Sequence, residues 1–156
     1  MSTTSTPVTT TGAAVEQVDV RGPRFAAWIT TAVLVAVLVA ASFSTVVAGV
    51  ILAVQAVVFA VGAVVGPKRS PYGQIFGKLV APRISPPSER EPTPPLRFAQ
   101  LVGFIFAAAG LVGFALSAPI VGTIFTGFAL FAAFLNAAFG ICLGCQIYPF
   151  VARLRA

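Results

Sequence analysis

Apolar residues fill two long blocks of this chain, and the polar positions are pushed to their ends. The first block runs from Phe25 to Val65, with Gln55 the one strongly polar residue inside it. A bilayer core takes about 20 helical residues per crossing, so a block of this length predicts two spans. Ser42-Phe43-Ser44 is its densest hydroxyl cluster and the predicted turn, which gives spans near 25–42 and 45–65. Gly66-Pro67-Lys68 ends the second span, because proline cannot continue the hydrogen-bonded ladder. The second block, Phe98 to Val151, breaks at Ser117-Ala118-Pro119 and predicts spans near 98–117 and 120–148. The last is long enough to tilt or to protrude from the core.

The polar remainder has its own pattern. Residues 1–17 are Ser/Thr-rich without hydrophobic period and are expected to be a disordered tail, leaving 18–156 as one membrane domain. Within 66–97, Ser70-Pro71 is an N-cap followed by proline at the first helical position. Tyr72, Ile75, Phe76, Leu79 and Val80 then recur at helical spacing, predicting a short interfacial helix with Lys78 toward water. Pro82 to Pro95 is too proline-rich for helix or central strand and is expected to be an extended strap.

Composition agrees with the pattern. The chain is 58% hydrophobic and only 9% charged, with mean hydropathy +0.97, so the predicted class is an all-α integral membrane bundle of four helices in two hairpins. The net charge of +6 does not imply nucleic acid, since the basic residues flank apolar runs instead of forming a patch with stacking aromatics. All ten Lys and Arg fall before span one, between spans two and three, or after span four. Four crossings put those places on one side, and the positive-inside rule makes it cytoplasmic. The expectation is a multi-pass cell membrane protein with both termini inside, and the lipid bilayer as its first partner.

The hairpins also resemble each other. Arg24-Phe-Ala-Ala27 opens one and Arg97-Phe-Ala-Gln100 the other; Gly73-Gln-Ile-Phe76 closes one and Cys145-Gln-Ile-Tyr148 the other. A parallel duplication would set Ser70–Gly73 opposite Cys142–Cys145 around a cytoplasmic vestibule.

Cys142 and Cys145 are the only cysteines. Residues three apart share a helix face, so the sulfurs are within reach of each other. In a span running to residue 148 the pair lies near a helix C-terminus, where the dipole opposes thiolate. Activation would then need cations such as Arg97, Arg153 or Lys78, or helix unwinding at Gly140, Gly144 and Pro149. The alternative is two inert thiols packed beside a small-xxx-small surface of Gly140 and Gly144. The chain has no histidine, which excludes haem attachment and leaves too few ligands for zinc; no cofactor or metal is predicted. A standing structural disulfide is not expected at a cytoplasmic face.

Gln100 and Asn136 are polar residues inside spans. They are either a polar lining together with Arg97 and Tyr148 or interhelical hydrogen-bonding pairs. No acidic residue lies in a span, which argues against proton-coupled carriers and cation channels.

The chain resembles an uncharacterised bacterial membrane family, domain of unknown function 4395, over roughly residues 18–154. The residues that carry the likeness are Val18-Asp19, Arg24, Ser70-Pro71-Tyr72, Arg97 to Gly103, Asn136-Ala137, and Gly140-x-Cys142-x-Gly-Cys145-x-x-Tyr148. The resemblance implies a four-span protein in which Cys142 and Cys145 matter, with thioredoxin-like or sulfurtransferase-like proteins as partners. It supplies no catalytic role.

The function expected from all this is thiol–disulfide exchange or sulfur handling through Cys142 and Cys145, with the order of attack left open. The alternatives are a non-enzymatic membrane scaffold, and a small-solute or sulfur-anion permease, which with so few spans would need a homo-oligomer.

Overall fold

A computed structural model describes residues 16–155. In chain order its elements are β1 (Gln17–Asp19), α1 (Arg21–Ala41), α2 (Thr45–Val65) and α3 (Pro71–Ile75), which continues as a π turn (Phe76–Val80) and a 3-10 turn (Ala81–Arg83), the short helix expected in this loop. β2 (Arg90–Pro92), α4 (Thr93–Ala115), α5 (Pro119–Phe139) and α6 (Leu143–Leu154) follow. The tail expected over residues 1–17 lies, up to residue 15, outside the described residues; Gln17 opens β1.

The four long helices have 21 to 23 residues each. At about 1.5 Å per residue each is long enough to cross a hydrocarbon core of roughly 30 Å. α1 packs on α2 and α5, and α4 packs on the same two, which closes them into a ring. The outside of the ring is apolar. On α2, Val46, Val50, Val54, Val57 and Val64 form one outward stripe, each more than half exposed. The inward face of the same helix is Ala48, Gly49, Leu52, Gln55, Ala56, Phe59 and Gly62. Small and polar residues inside with branched apolar ones outside is the arrangement lipid favours, since there is no hydrophobic gain in turning valine inward.

The turns follow from the sequence. Ser44 caps α2, its side chain accepting from Val47 N–H at 3.2 Å. Pro119 occupies the first turn of α5, where its missing N–H would have had no partner. The same rule corrects one expectation. The strap stops at Pro92, because Pro94 and Pro95 sit in the first turn of α4, which starts at Thr93 and not near Phe98. The strap also carries β2, which pairs antiparallel with β1, Val18 opposite Glu91.

Contacts recur between the two hairpins at matching positions. Phe25 of α1 meets Phe76, just beyond α3, at 5.8 Å between ring centroids. Phe98 of α4 meets Tyr148 of α6 at the same 5.8 Å. Arg24 donates to Ala137 O at the end of α5, 3.3 Å. Arg97 donates to Ala63 O and Val64 O at the end of α2, 2.9 and 2.6 Å. Each arginine thus places its cation on the unpaired C-terminal carbonyls of the other hairpin, where the helix dipole favours it. Ser70 Oγ accepts from Gly73 N–H at 3.2 Å, and Cys142 Sγ accepts from Cys145 N–H at 3.2 Å. These pairs stand in the register of the sequence repeat.

Tyr72 does more than contribute to the apolar stripe of α3. Its hydroxyl donates to Oε1 of Gln55, 2.7 Å away and fully buried in the ring. Tyr72→Phe leaves that oxygen buried without a partner and is expected to lower unfolding stability by about 1–2 kcal/mol. Adding Gln55→Leu should recover most of the loss, because both polar groups are then gone. Urea titration of the three variants in one detergent checks this, and additive losses in the double variant would overturn it.

Candidate functional site

The site is made by a break in the second apolar block. Gly140 takes φ 70°, the left-handed conformation that stops a helix. Its N–H donates to Asn136 O at 3.0 Å and that of Ile141 to Leu135 O at 3.2 Å, closing the end of α5. The span expected to reach Tyr148 therefore ends at Phe139. Two residues later Cys142 caps a new helix, α6. Leu143, Ile147, Phe150 and Leu154 line one side of α6, with Gln146 and Arg153 among its polar residues and Arg155 at its C-cap. A short helix of that composition suits the interface.

This reverses the electrostatics anticipated for the cysteines. The pair sits at a helix N-terminus, not near a C-terminus, so the dipole favours thiolate at Cys142. Cys145 N–H already points at the Cys142 sulfur. The helix stop at Gly140 is what puts the pair at that N-terminus, and Arg97 is occupied at the end of α2. Pro149, one turn beyond Cys145, cannot donate to the Cys145 carbonyl, which loosens α6 just behind the pair.

Cys142 and Cys145 are joined as a disulfide, Cα to Cα 5.2 Å, inside the usual range for such a bond. The sulfurs that the spacing put within reach of each other are brought together by the turn at the start of α6. Gly144 lies between them and lets α6 touch α4. A Cβ there would stand 2.6 Å from Ala99 Cα. Gly140 and Gly144 accordingly do separate jobs and do not form one packing stripe.

Two spaces meet the disulfide. An outer cleft of about 350 Å³ is lined by both cysteines, Glu91, Pro95, Leu96 and Gln146. Burial, with Glu89 adding to it, raises the Glu91 carboxyl from its ordinary value. On the inner side, a cavity of about 300 Å³ enters the ring and is lined by Cys142, Gln100, Asn136, Phe59, Phe106 and Ala132. It shares Pro23, Ala26, Pro67 and Gln100 with a neighbouring cavity of about 260 Å³ beside Ser70 and Gly73. The Ser70–Gly73 and Cys142–Cys145 turns thus flank adjoining spaces.

Of the residues singled out from sequence, Gln100, Asn136 and Cys142 line one cavity, and Cys145 faces the outer cleft. Arg97 and Tyr148 are not among the cavity's lining residues; one caps α2 and the other packs on Phe98. Glu91 was missed, because nothing in a proline-rich strap indicates that β2 folds back beside the cysteines.

Fold and site together define a multi-pass membrane protein with a Cys-x-x-Cys disulfide at the start of a short helix beyond its fourth span. The chain belongs to the family described as Domain of unknown function (DUF4395), which matches residues 18–153. No curated protein and no solved structure matches it.

Proposed function

We propose that Cys142 and Cys145 cycle between disulfide and dithiol, exchanging with a soluble dithiol protein at the face that carries the basic residues. The observation that carries this is the position of the pair at the N-terminus of α6, open to a cleft. A helix start stabilises the thiolate that is both nucleophile and leaving group in exchange. Cys142 is the better leaving group, since it caps the helix and accepts Cys145 N–H. The partner's thiolate attacks Cys145 Sγ, the S–S bond breaks, and Cys142 departs as thiolate. A second partner thiol then displaces Cys145, leaving the partner oxidised and this pair reduced.

All ten Lys and Arg flank the same ends of the four spans. By the positive-inside rule that face is cytoplasmic and both termini are inside. Soluble thiols are kept reduced there and disulfides are transient and catalytic, which suits a cycling bond better than a structural one. A thioredoxin-like protein, with two adjacent thiols, has the chemistry required of the partner.

The test uses the full chain in nanodiscs with a reduced thioredoxin-type protein. The expected result is loss of the Cys142–Cys145 disulfide with matching oxidation of the partner; in Cys142→Ser first charged at Cys145 with thionitrobenzoate, a reduced partner lacking its resolving thiol displaces thionitrobenzoate and is trapped as a mixed disulfide. A pair that stays oxidised in excess partner, with no mixed disulfide from the charged variant, overturns the proposal.

A further inference from the structure

We infer that the inner cavity takes the ring of a lipid-soluble quinone, which accepts the two electrons of the Cys142–Cys145 dithiol. The inference rests on the exchange reading above and adds the second substrate.

The two sulfurs face different media. Cys145 lines only the outer cleft, whereas Cys142 lines the cleft and also the cavity within the ring. That cavity runs from Cys142 to Phe128, which lies eleven residues, or about three turns, before the end of α5. Its flank is apolar. Phe128, Phe131 and Ile147 line it while remaining 57%, 58% and 48% exposed on the surface of the bundle. A molecule arriving there comes from lipid and not from water.

The walls specify what kind of molecule it is. Among the described lining residues none is charged, so the occupant is neutral. Phe106 and Phe128, tilted against each other with ring centroids 6.2 Å apart, both line it and give its wall an aromatic surface suited to an apolar ring. Gln100 and Asn136 are the two side-chain amides on the walls. Neither makes a side-chain hydrogen bond to another described residue. Amide N–H groups suit carbonyl oxygens that gain negative charge during reduction. The volume, about 300 Å³, is at the low end of small-molecule sites, enough for a ring whose tail stays in the bilayer. A neutral, planar, lipid-borne acceptor with two carbonyls and room for two electrons is a quinone.

The step balances without another reagent. After exchange the pair is a dithiol, and Cys142 loses its proton to water. Its thiolate adds to a ring carbon, forming a C–S bond and moving an electron pair onto a quinone oxygen beside an amide. Cys145, also deprotonated, attacks Cys142 Sγ; the S–S bond forms, the C–S bond breaks, and that pair stays on the ring. Two protons from water complete the quinol. The dithiol is oxidised by two electrons and the quinone reduced by two.

The experiment is a single turnover with full-length protein in quinone-free nanodiscs. The protein is reduced, freed of reductant, and mixed with a fully substituted benzoquinone carrying a decyl tail. The expected result is one quinone reduced per protein, with the disulfide restored. Gln100→Leu with Asn136→Leu should slow this by about a hundredfold, the scale of losing donors to a developing oxyanion. Ala132→Trp, which fills the cavity from α5, should block it. Exchange with the dithiol protein stays normal in both variants, which also reports that they are folded. If unmodified protein exchanges normally but leaves the quinone unreduced, the quinone inference falls and the exchange reading stands. If it does neither, the exchange reading falls. Equal quinone reduction in the cavity variants would mean that the ring reacts elsewhere, and would overturn the site.

Discussion

At pH 7, Cys142 in Cys145→Ser protein should be alkylated by iodoacetamide about fivefold faster than Cys145 in Cys142→Ser protein. The difference should shrink as pH rises and both sulfurs become thiolate. Two features act on Cys142 and not on Cys145. It caps α6, at the positive end of the dipole, and its sulfur accepts the Cys145 N–H at 3.2 Å. A hydrogen bond to an anion is about twice as strong as one to a neutral group, so this contact favours thiolate over thiol. The ratio stays modest because a more stable thiolate is also a weaker nucleophile. Serine is a good N-cap, so Cys142→Ser keeps α6 started at the same residue. The comparison then reports on sulfur chemistry and not on a frayed helix. A faster Cys145 would reverse the sulfur assignments used for exchange, and equal rates would remove their basis.

Much of the frame was legible because lipid imposes a strong rule on composition. Two apolar blocks, each divided by a hydroxyl- or proline-bearing turn, leave few alternatives to four spans, and the turns at Ser42–Ser44 and Ser117–Pro119 stand where the pattern placed them. The Ser70 cap and the proline after it are also where the pattern placed them. The end of the fourth span was not legible. Gly140 lies in continuous apolar sequence, where a glycine serves equally well as a small packing residue or a left-handed stop. Cysteine is not among the side chains that announce a helix start. One misplaced helix end reversed the expected sign of the dipole at the cysteines. The strap misled differently: Pro94 and Pro95 look like helix breakers but are harmless in a first turn. Strands of three residues, one ending in Pro92, carry no alternation to detect.

The repeat bears on why the cysteine pair occurs on one side only. In the first hairpin the position matching Cys142 is Ser70, which makes the same cap, and the position matching Cys145 is Gly73. Between the caps, Tyr72 stands where the second hairpin has Gly144. Tyr72 reaches inward to Gln55, while Gly144 leaves room for α6 to lie against Ala99. One turn is therefore anchored by a side chain that reaches into the ring, and the other by close backbone approach. The second arrangement brings a sulfur to the cavity wall.

Close approach at Gly144 should make it far less tolerant of change than another glycine in the same part of the chain. Gly144→Ala places a methyl carbon 2.6 Å from Ala99 Cα and 2.7 Å from its Cβ. Both neighbours are close to backbone and cannot swing aside, so α6 must lift from α4. The expected cost is about 1–3 kcal/mol in the docking of α6, seen as faster amide hydrogen exchange in residues 143–154. Exchange with the dithiol partner should change as well, because Cys142 moves with the helix. Gly127→Ala in α5 is the contrasting case. A Cβ there meets nothing within 4 Å, and alanine is the better helix former by roughly 0.5–1 kcal/mol. The two substitutions add the same atom and should have opposite signs. If Gly144→Ala leaves the protection of α6 unchanged, that helix is not held by contact with α4, and the position of Cys142 at the cavity wall loses its structural basis.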